Sequence, residues 1–498
     1  MNELAEPSRA APPVAATRTL LGQPFGLATL FLTEMWERFT YYGIQAVLIL
    51  FMVAAASRGG LGLDDRTSSS IFGLFLGSTY LLGLLGGWIA DRLLGAQRAV
   101  ISGGILIAAG STLLALGNQS IFFVGLLVNA MGVGLLKPNV SAIVASLYPE
   151  GGARRDAGFS IFYMGINIGA ALGSFFVPLF AAAFGWRLGF ALPALFMALG
   201  VAQFLWTRRY LGTAGLQPAH ERRGSWTPVI VFLGAVAVIV VLAATGTLRL
   251  DAGVLVAVAA RCYALLALAY FVYLLFFAGL SSEERRRALV MVALFAASVI
   301  FWAGYYQQGG SFNLFAERYT NRHILGWEMP AGVLQAVNPL FVITFAGVFA
   351  ALWIALGKRG RDPSAAAKFG WALVLLGLGF LVMYFAAQRV RAGHLVLPTW
   401  LVCTYFLHTC GELCISPVGL SYMSKLAPQR LVGQAMGVWF LSLALGGNLA
   451  GQLTGQYDAS HLDSLPALFL RIFWYGLIAG MVMLLITPLV KRMMAGVH

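Results

Sequence analysis

The chain has 498 residues, 59% hydrophobic and only 10% charged, whereas a soluble domain carries about a quarter charged residues, so a soluble globular protein is excluded. The net charge of +14 does not point to nucleic acid, because the basic residues are scattered among short connections between apolar runs rather than gathered on one folded face. Cys262, Cys403, Cys410 and Cys414 all fall inside apolar runs and the six histidines show no ligand spacing, so neither a disulfide framework nor a metal site is expected.

Residues 1–24 lack the apolar core of a signal peptide and are expected to form a cytoplasmic tail. Runs long enough to cross a bilayer then follow near 25–56, 69–90, 99–117, 121–147, 157–184 and 187–207. Two more lie at 228–246 and 254–280, and six at 288–309, 331–356, 366–388, 395–423, 431–455 and 466–490, fourteen in all. Alternate connections, counted with both tails, hold 21 of the lysines and arginines against 10 on the other side. Both termini are therefore expected in the cytoplasm.

The spacing predicts an all-α integral membrane protein with a six-helix bundle over 25–207 and a second over 288–490. Linkers and an inserted helix pair occupy 208–287, and a short cytoplasmic tail 491–498. Twelve core helices in two halves plus two inserted ones match the plan of the major facilitator fold, whose site lies between the halves. The segment from Gly87 to Arg98, GWIADRLLGAQR, resembles the loop motif of that superfamily between spans 2 and 3.

Span 1 carries Glu34, Glu37 and Arg38 near its middle. Each ionised side chain at mid-depth costs roughly 2.5–3.5 kcal/mol when it faces lipid, so these three must be compensated. Glu34, Glu37, Arg38 and Tyr41 share one helix face, and Glu34 and Arg38 are spaced to pair. Such a cluster either holds and releases a proton or serves as a structural ion pair. Span 4 places Lys137 before Pro138, where Glu34 or Glu37 is the candidate partner and the proline permits a bend.

Span 5 has Asn167 among aromatic and small residues, suited to a polar contact or to a hydrogen bond between helices. Asn338 precedes Pro339 in span 8, and Glu412 is a second buried carboxylate near a helix breaker, Pro417, in span 10. His408 lies one turn before Glu412, either tuning it or packing. Trp302 on span 7 and Trp439 on span 11 are placed to wall a cavity or simply to pack.

Four motifs in order, Glu34-x-x-Glu37-Arg38-Phe39-x-Tyr41-Tyr42-Gly43, Gly134 to Asn139, Phe162-Tyr163-x-x-Ile166-Asn167-x-Gly169 and Gly411-Glu412-Leu413-x-x-Ser416-Pro417, together resemble the proton-dependent oligopeptide transporter family. The resemblance implies a proton-coupled symporter that imports di- and tripeptides by alternating access, not an enzyme. It also implies a multi-pass protein of the cell inner (plasma) membrane, surrounded by lipid and working as a monomer, with protons as coupling ion and no cofactor. By the same resemblance, Glu34, Glu37, Arg38 and Lys137 couple to protons, and Glu412 holds the peptide amino group. Asn167 and Asn338 supply polar contacts, Tyr41, Tyr42, Tyr80, Trp302 and Trp439 line the pocket, and Lys137 or Arg38 meets the peptide carboxylate.

Two departures stand out. Many members carry arginine where this chain has Gln45, and an acid where it has Tyr306. Both members of that outer-gate ion pair are neutral here, which avoids stranding a buried charge. The outer gate is therefore expected to close without that pair. Transport of nitrate or another small anion fits less well, because Glu34, Glu37 and Glu412 suit a substrate bearing an ammonium group. A passive channel is disfavoured by two glycine-rich halves with buried acid and base groups.

Overall fold

Helix α1, Phe25–Val53, is buried along most of its length, its polar face included. In this computed structural model the described residues are 19–494, apart from 21, 118, 151, 217–223, 249, 325 and 458–462. The expected tails over 1–18 and 495–498, and the linker at 217–223, lie outside them. The first half continues with α2 (Asp65–Ile89, prolonged by a π turn at Ala90–Leu94), α3 (Ala96–Ala115), α4 (Gln119–Ser146), α5 (Gly152–Phe184) and α6 (Trp186–Thr207). The inserted pair is α7 (Thr227–Ala244) and α8 (Ala252–Val272). The second half comprises α9 (Ser282–Tyr305), α10 (Ser311–Tyr319), α11 (Val337–Lys358), α12 (Ala365–Arg391), α13 (Thr399–Leu426), α14 (Val432–Thr454) and α15 (Ser464–Met493). Two short antiparallel hairpins, Thr19–Leu20 with Gln23–Pro24 and His323–Ile324 with Trp327–Glu328, lie outside the helices.

Among the described residues, twelve segments are long and apolar enough to cross a membrane. The two remaining expected spans are α1, with its three central charges, and α7, a shorter apolar helix. Span 7 differs from the expectation that it ends near residue 309. A 3-10 turn at Tyr306–Gln308 interrupts it, and α10 carries it on to Tyr319. The break falls at Gly309 and Gly310, and neither position has room for a side chain. A Cβ on Gly309 would meet Phe72 and Gln45, and one on Gly310 would meet Thr454.

Close helix packing without a hydrophobic drive in lipid requires small residues at the contact. Gly165, Gly169 and Gly173 form such a stripe on α5, and α1 lies in it. A Cβ on Gly169 or Gly173 would run into the carbonyl oxygens of Met35 or Phe39. The two halves approach in the same way toward the end where α2 begins. Gly73 meets Gly451, and Gly332 sits against Ala46 and Pro178. At the opposite end, a cavity of about 640 Å³ separates the start of α5 (Arg155, Asp156, Phe159) from α13 and α14 (Pro417, Ser421, Met436). The halves are thus closed at one end and parted at the other. Outside them, α8 packs on α2 and α14, while α7 exposes Ile230 and Val231.

Replacing Gly173 by leucine is expected to overpack the α1–α5 seam at a cost of about 1–3 kcal/mol. Thermal unfolding in detergent should show a lower midpoint for Gly173→Leu, and no change for Gly347→Leu, where a Cβ meets open space.

Candidate functional site

The three charges of α1 form one cluster. Arg38 Nε lies 3.3 Å from Glu34 Oε1 and also donates to Glu37 Oε2. All three side chains are almost completely shielded. The Arg38 guanidinium stands 5.0 Å from the centre of the Tyr41 ring, a cation–π contact. Gly169 leaves room for the base of Arg38, since a Cβ there would sit 3.0 Å from Arg38 Cβ. Among the described residues, Glu34 Oε2, Glu37 Oε1 and Arg38 Nη2 are buried without a hydrogen-bond partner. The charges of the cluster are thus paired with one another, and its hydrogen-bonding capacity is only partly used.

Lys137 is half-buried on α4 and its Nζ lies 4.4 Å from the centre of the Tyr80 ring. Among the described residues, no ion pair within 4.0 Å joins it to Glu34 or Glu37, the partners named from sequence. It remains within electrostatic reach of Glu34. The π face of Tyr80 takes the ammonium in place of a carboxylate. Beyond Pro138, which cannot donate to the preceding turn, Asn139 Nδ2 bonds Gly86 O on α2 at 3.2 Å and Leu135 O at 2.7 Å.

The second half supplies a lone acid. Glu412 on α13 is half-buried, and its Oε2 accepts from Tyr305 Oη at 2.9 Å and from Asn338 Nδ2 at 3.2 Å. The single Tyr305 proton is shared between Glu412 and Asn338 Oδ1, 3.0 Å away, and Asn338 Nδ2 also donates to Thr409 Oγ1 at 2.8 Å. Among the described residues, only neutral donors hold this carboxylate in place. Tyr42 on α1 and Tyr163 on α5 lie within its electrostatic reach, so both halves contribute to its surroundings. Tyr306 donates to Tyr80 Oη at 2.8 Å across the halves, and its ring stacks on Trp302 with centres 5.4 Å apart. Lys137, Tyr80, Tyr306 and Trp302 thus form one continuous wall.

The other sequence-named residues make the following contacts. Tyr41 stacks on Phe75, and Asn167 donates to Tyr163 O of its own helix at 2.9 Å. Trp439 packs against Gly419 and the Phe369 ring. His408 does not tune Glu412. Its Nε2 is 3.2 Å from Leu376 O, and its ring lies against Phe312 and Phe380. Sequence reasoning missed Tyr305, Thr409 and Tyr163. Tyr305 adjoins Tyr306 in an aromatic run that hid it, and Thr409 lies one turn before Glu412, the only signal it offered. Among the described residues, no group of three or more His, Cys, Asp or Glu side chains is placed to hold a metal ion.

This arrangement of buried acids and bases between two helical halves agrees with the comparisons to known proteins. Residues 97–468 match the model of the POT family. The chain belongs to the POT family. It is 40% identical to the peptide transporter YePEPT of Yersinia enterocolitica subsp. palearctica, over 96% of each chain. It is 32% identical to a di-/tripeptide transporter of Lactococcus lactis subsp. lactis, over 97% of this chain and 98% of that one. Its fold superposes on the crystal structure of a mutant peptide transporter POT in complex with alafosfalin, with a TM-score of 0.89 and 39% identity over 96% and 98% of the two chains. It is a multi-pass membrane transporter, not an enzyme.

In this POT family chain the closed end contains the two neutral replacements. Gln45 is buried against Gly309, and Tyr306 is turned to Tyr80. Nearer the rim, Asn313 Nδ2 donates to Ala46 O at 2.9 Å. At the rim itself, Arg318 on α10 donates both terminal N–H groups to Asp65 at the start of α2, each at 2.7 Å. This bidentate pair joins the two halves. Because it is part-exposed, its loss is expected to cost about 1 kcal/mol, or roughly five-fold in the ratio of closed to open ends. Spin-label distances across that end should show more of the separated population in Asp65→Asn, and an unchanged distribution would show that the pair does not hold the end shut.

Proposed function

We propose that this chain is a symporter that imports di- and tripeptides together with protons by alternating access. The observation that carries the reading is the presence of two unlike charge sites: Glu412, held by neutral donors on one half, and Lys137, resting on the Tyr80 ring on the other. A zwitterionic peptide needs an anion for its ammonium and a cation for its carboxylate. Names of its relatives, a peptide transporter and a di-/tripeptide transporter, support the substrate class. Glu412 takes the peptide amino group with Asn338 beside it, and Lys137 or Arg38 meets the carboxylate. Tyr42, Tyr80, Trp302 and Tyr306 surround the side chains, with Tyr41, Asn167 and Trp439 behind them. Glu34, Glu37 and Arg38, with Lys137 nearby, carry the coupling proton.

The same reading places the protein in the cell inner membrane with both termini in the cytoplasm, its parted end facing inward. The bundles over 25–207 and 288–490 act as the two moving bodies, and the segment 208–287 stands outside them. Since one copy holds groups from both halves, a monomer suffices for transport.

Proteoliposomes given an inward proton gradient should accumulate radiolabelled di-alanine and lose it when a protonophore is added; absence of accumulation would overturn the substrate assignment. Glu37→Gln should abolish gradient-driven accumulation while leaving peptide counterflow measurable. Glu412→Gln removes a charged partner for the ammonium, which is worth roughly 10–100-fold in affinity, and should lower binding of free dipeptides far more than of amino-blocked ones.

A further inference from the structure

Thr409 lies on α13 one turn before Glu412 and is fully buried, so it stands behind the proposed ammonium subsite rather than in it. Its hydroxyl has a single proton, which goes to the carbonyl oxygen of Tyr405 at 2.7 Å. A carbonyl oxygen can only accept, so the direction of this bond is fixed, and the bond back to the preceding turn also holds the side-chain rotamer. The Thr409 oxygen is thereby left as an acceptor. It takes a proton from Asn338 Nδ2 on α11 at 2.8 Å.

The two ends of an amide have nearly the same shape, and its partners decide which way it points. Thr409 demands the NH2 end, while the Tyr305 hydroxyl, 3.0 Å from Asn338 Oδ1, suits the oxygen. Turned over, the amide would set its oxygen against the Thr409 oxygen and the Glu412 carboxylate. Held as it is, Nδ2 also reaches Glu412 Oε2 at 3.2 Å, where Tyr305 Oη stands at 2.9 Å. One amide thus clips two successive turns of α13 together. Both of its neutral donors fall on Oε2, and among the described residues Glu412 Oε1 receives neither.

We propose that Thr409 is a positioning residue for substrate selection: acting through Asn338, it orients Glu412 toward the ammonium group and so sets how strongly a free amino terminus is preferred over a blocked one. The inference rests on the reading of Glu412 as the partner of the peptide amino group. A carboxylate anchored by one oxygen presents the other at a fixed place, whereas a loosely held one must be ordered by each ligand that binds. The other face of α13 is secured without Thr409. Thr404 Oγ1 donates to Gly379 O at 3.2 Å, His408 Nε2 lies 3.2 Å from Leu376 O, and Gly411 lets the helix approach Ala372 on α12. Removing the Thr409 hydroxyl therefore leaves α13 in place and frees the amide.

In proteoliposomes of the full chain, unlabelled di-alanine and N-acetyl-di-alanine can each compete with radiolabelled di-alanine in counterflow, alongside KM and maximal rate for di-alanine. Wild type is expected to prefer the free peptide; without that preference the Glu412 assignment and this proposal fall together. Thr409→Val keeps the shape and removes the acceptor, so KM for di-alanine should rise roughly five-fold, the worth of one neutral hydrogen bond, with little change in maximal rate or in competition by the acetylated peptide. Thr409→Ala carries the same expectation where valine is not accommodated, and Thr409→Ser should restore the wild-type preference. In an Asn338→Ala background, Thr409→Val should add nothing further, because the effect runs through that amide. A bond that only ties α11 to α13 would instead lower the thermal midpoint and weaken both peptides equally. Equal weakening, an undiminished preference in Thr409→Val and Thr409→Ala, failure of serine to restore it, or a full further loss without Asn338 would each overturn the proposal and leave the Glu412 assignment standing.

Discussion

The fold is built around a guanidinium between two carboxylates in the middle of a membrane helix. Removing one member of such a buried group strands the others, at a cost of about 3–5 kcal/mol, so Glu34, Glu37 and Arg38 constrain one another. The cluster also dictates where α1 can lie. A helix with charges at mid-depth is costly against lipid and must be surrounded by other helices. The glycine stripe of α5 meets that demand by letting the backbone of α1 approach closely while leaving space beside Arg38. Burial of α1 is therefore a consequence of its polar residues, the reverse of the usual relation in a soluble core.

The two halves handle polarity differently. The first keeps its acids beside a guanidinium and rests its lysine on a tyrosine ring. The second keeps one acid among hydroxyl and amide donors, none of which carries a charge. A carboxylate bonded by neutral donors retains an unanswered negative field, and a lysine resting on a tyrosine ring retains a positive one. A ligand that is positive at one end and negative at the other answers both halves at once. That complementarity is the physical basis of the proposed substrate class.

Much of this was legible in the sequence wherever the signal is local. Hydropathy marked the spans, and the spacing of Glu34 and Arg38 predicted their pairing on one helix face. What could not be read is the choice of partners across helices. Lys137 was expected on a glutamate and stands on Tyr80, because an aromatic face and a carboxylate are both good partners and only tertiary placement selects one. His408 shares a helix face with Glu412 but faces α12, where a backbone carbonyl bonds it. Tyr305, a direct partner of Glu412, was overlooked because neighbouring residues on a helix diverge by about 100°, and the sequence alone does not say which of two adjacent tyrosines faces the acid. The break at Gly309 and Gly310 was likewise invisible, since only the approach of Phe72, Gln45 and Thr454 shows why glycine is required.

The neutral pair at Gln45 and Tyr306 changes what opening the closed end demands. An ion pair deep in the protein must be separated in a medium where both charges are poorly solvated, so parting it is costly unless each charge finds a new partner. Here the deep contacts are neutral: Tyr306 with Tyr80, and Asn313 with a backbone oxygen. The charged contact sits at the rim, where Arg318 and Asp65 keep 26% and 19% of their side-chain surface exposed. When those two part, water reaches both, and the energy lost on separation is largely recovered as hydration. A charged latch at the rim above neutral contacts thus leaves a closed end specified by geometry and shape, with a small electrostatic cost of opening.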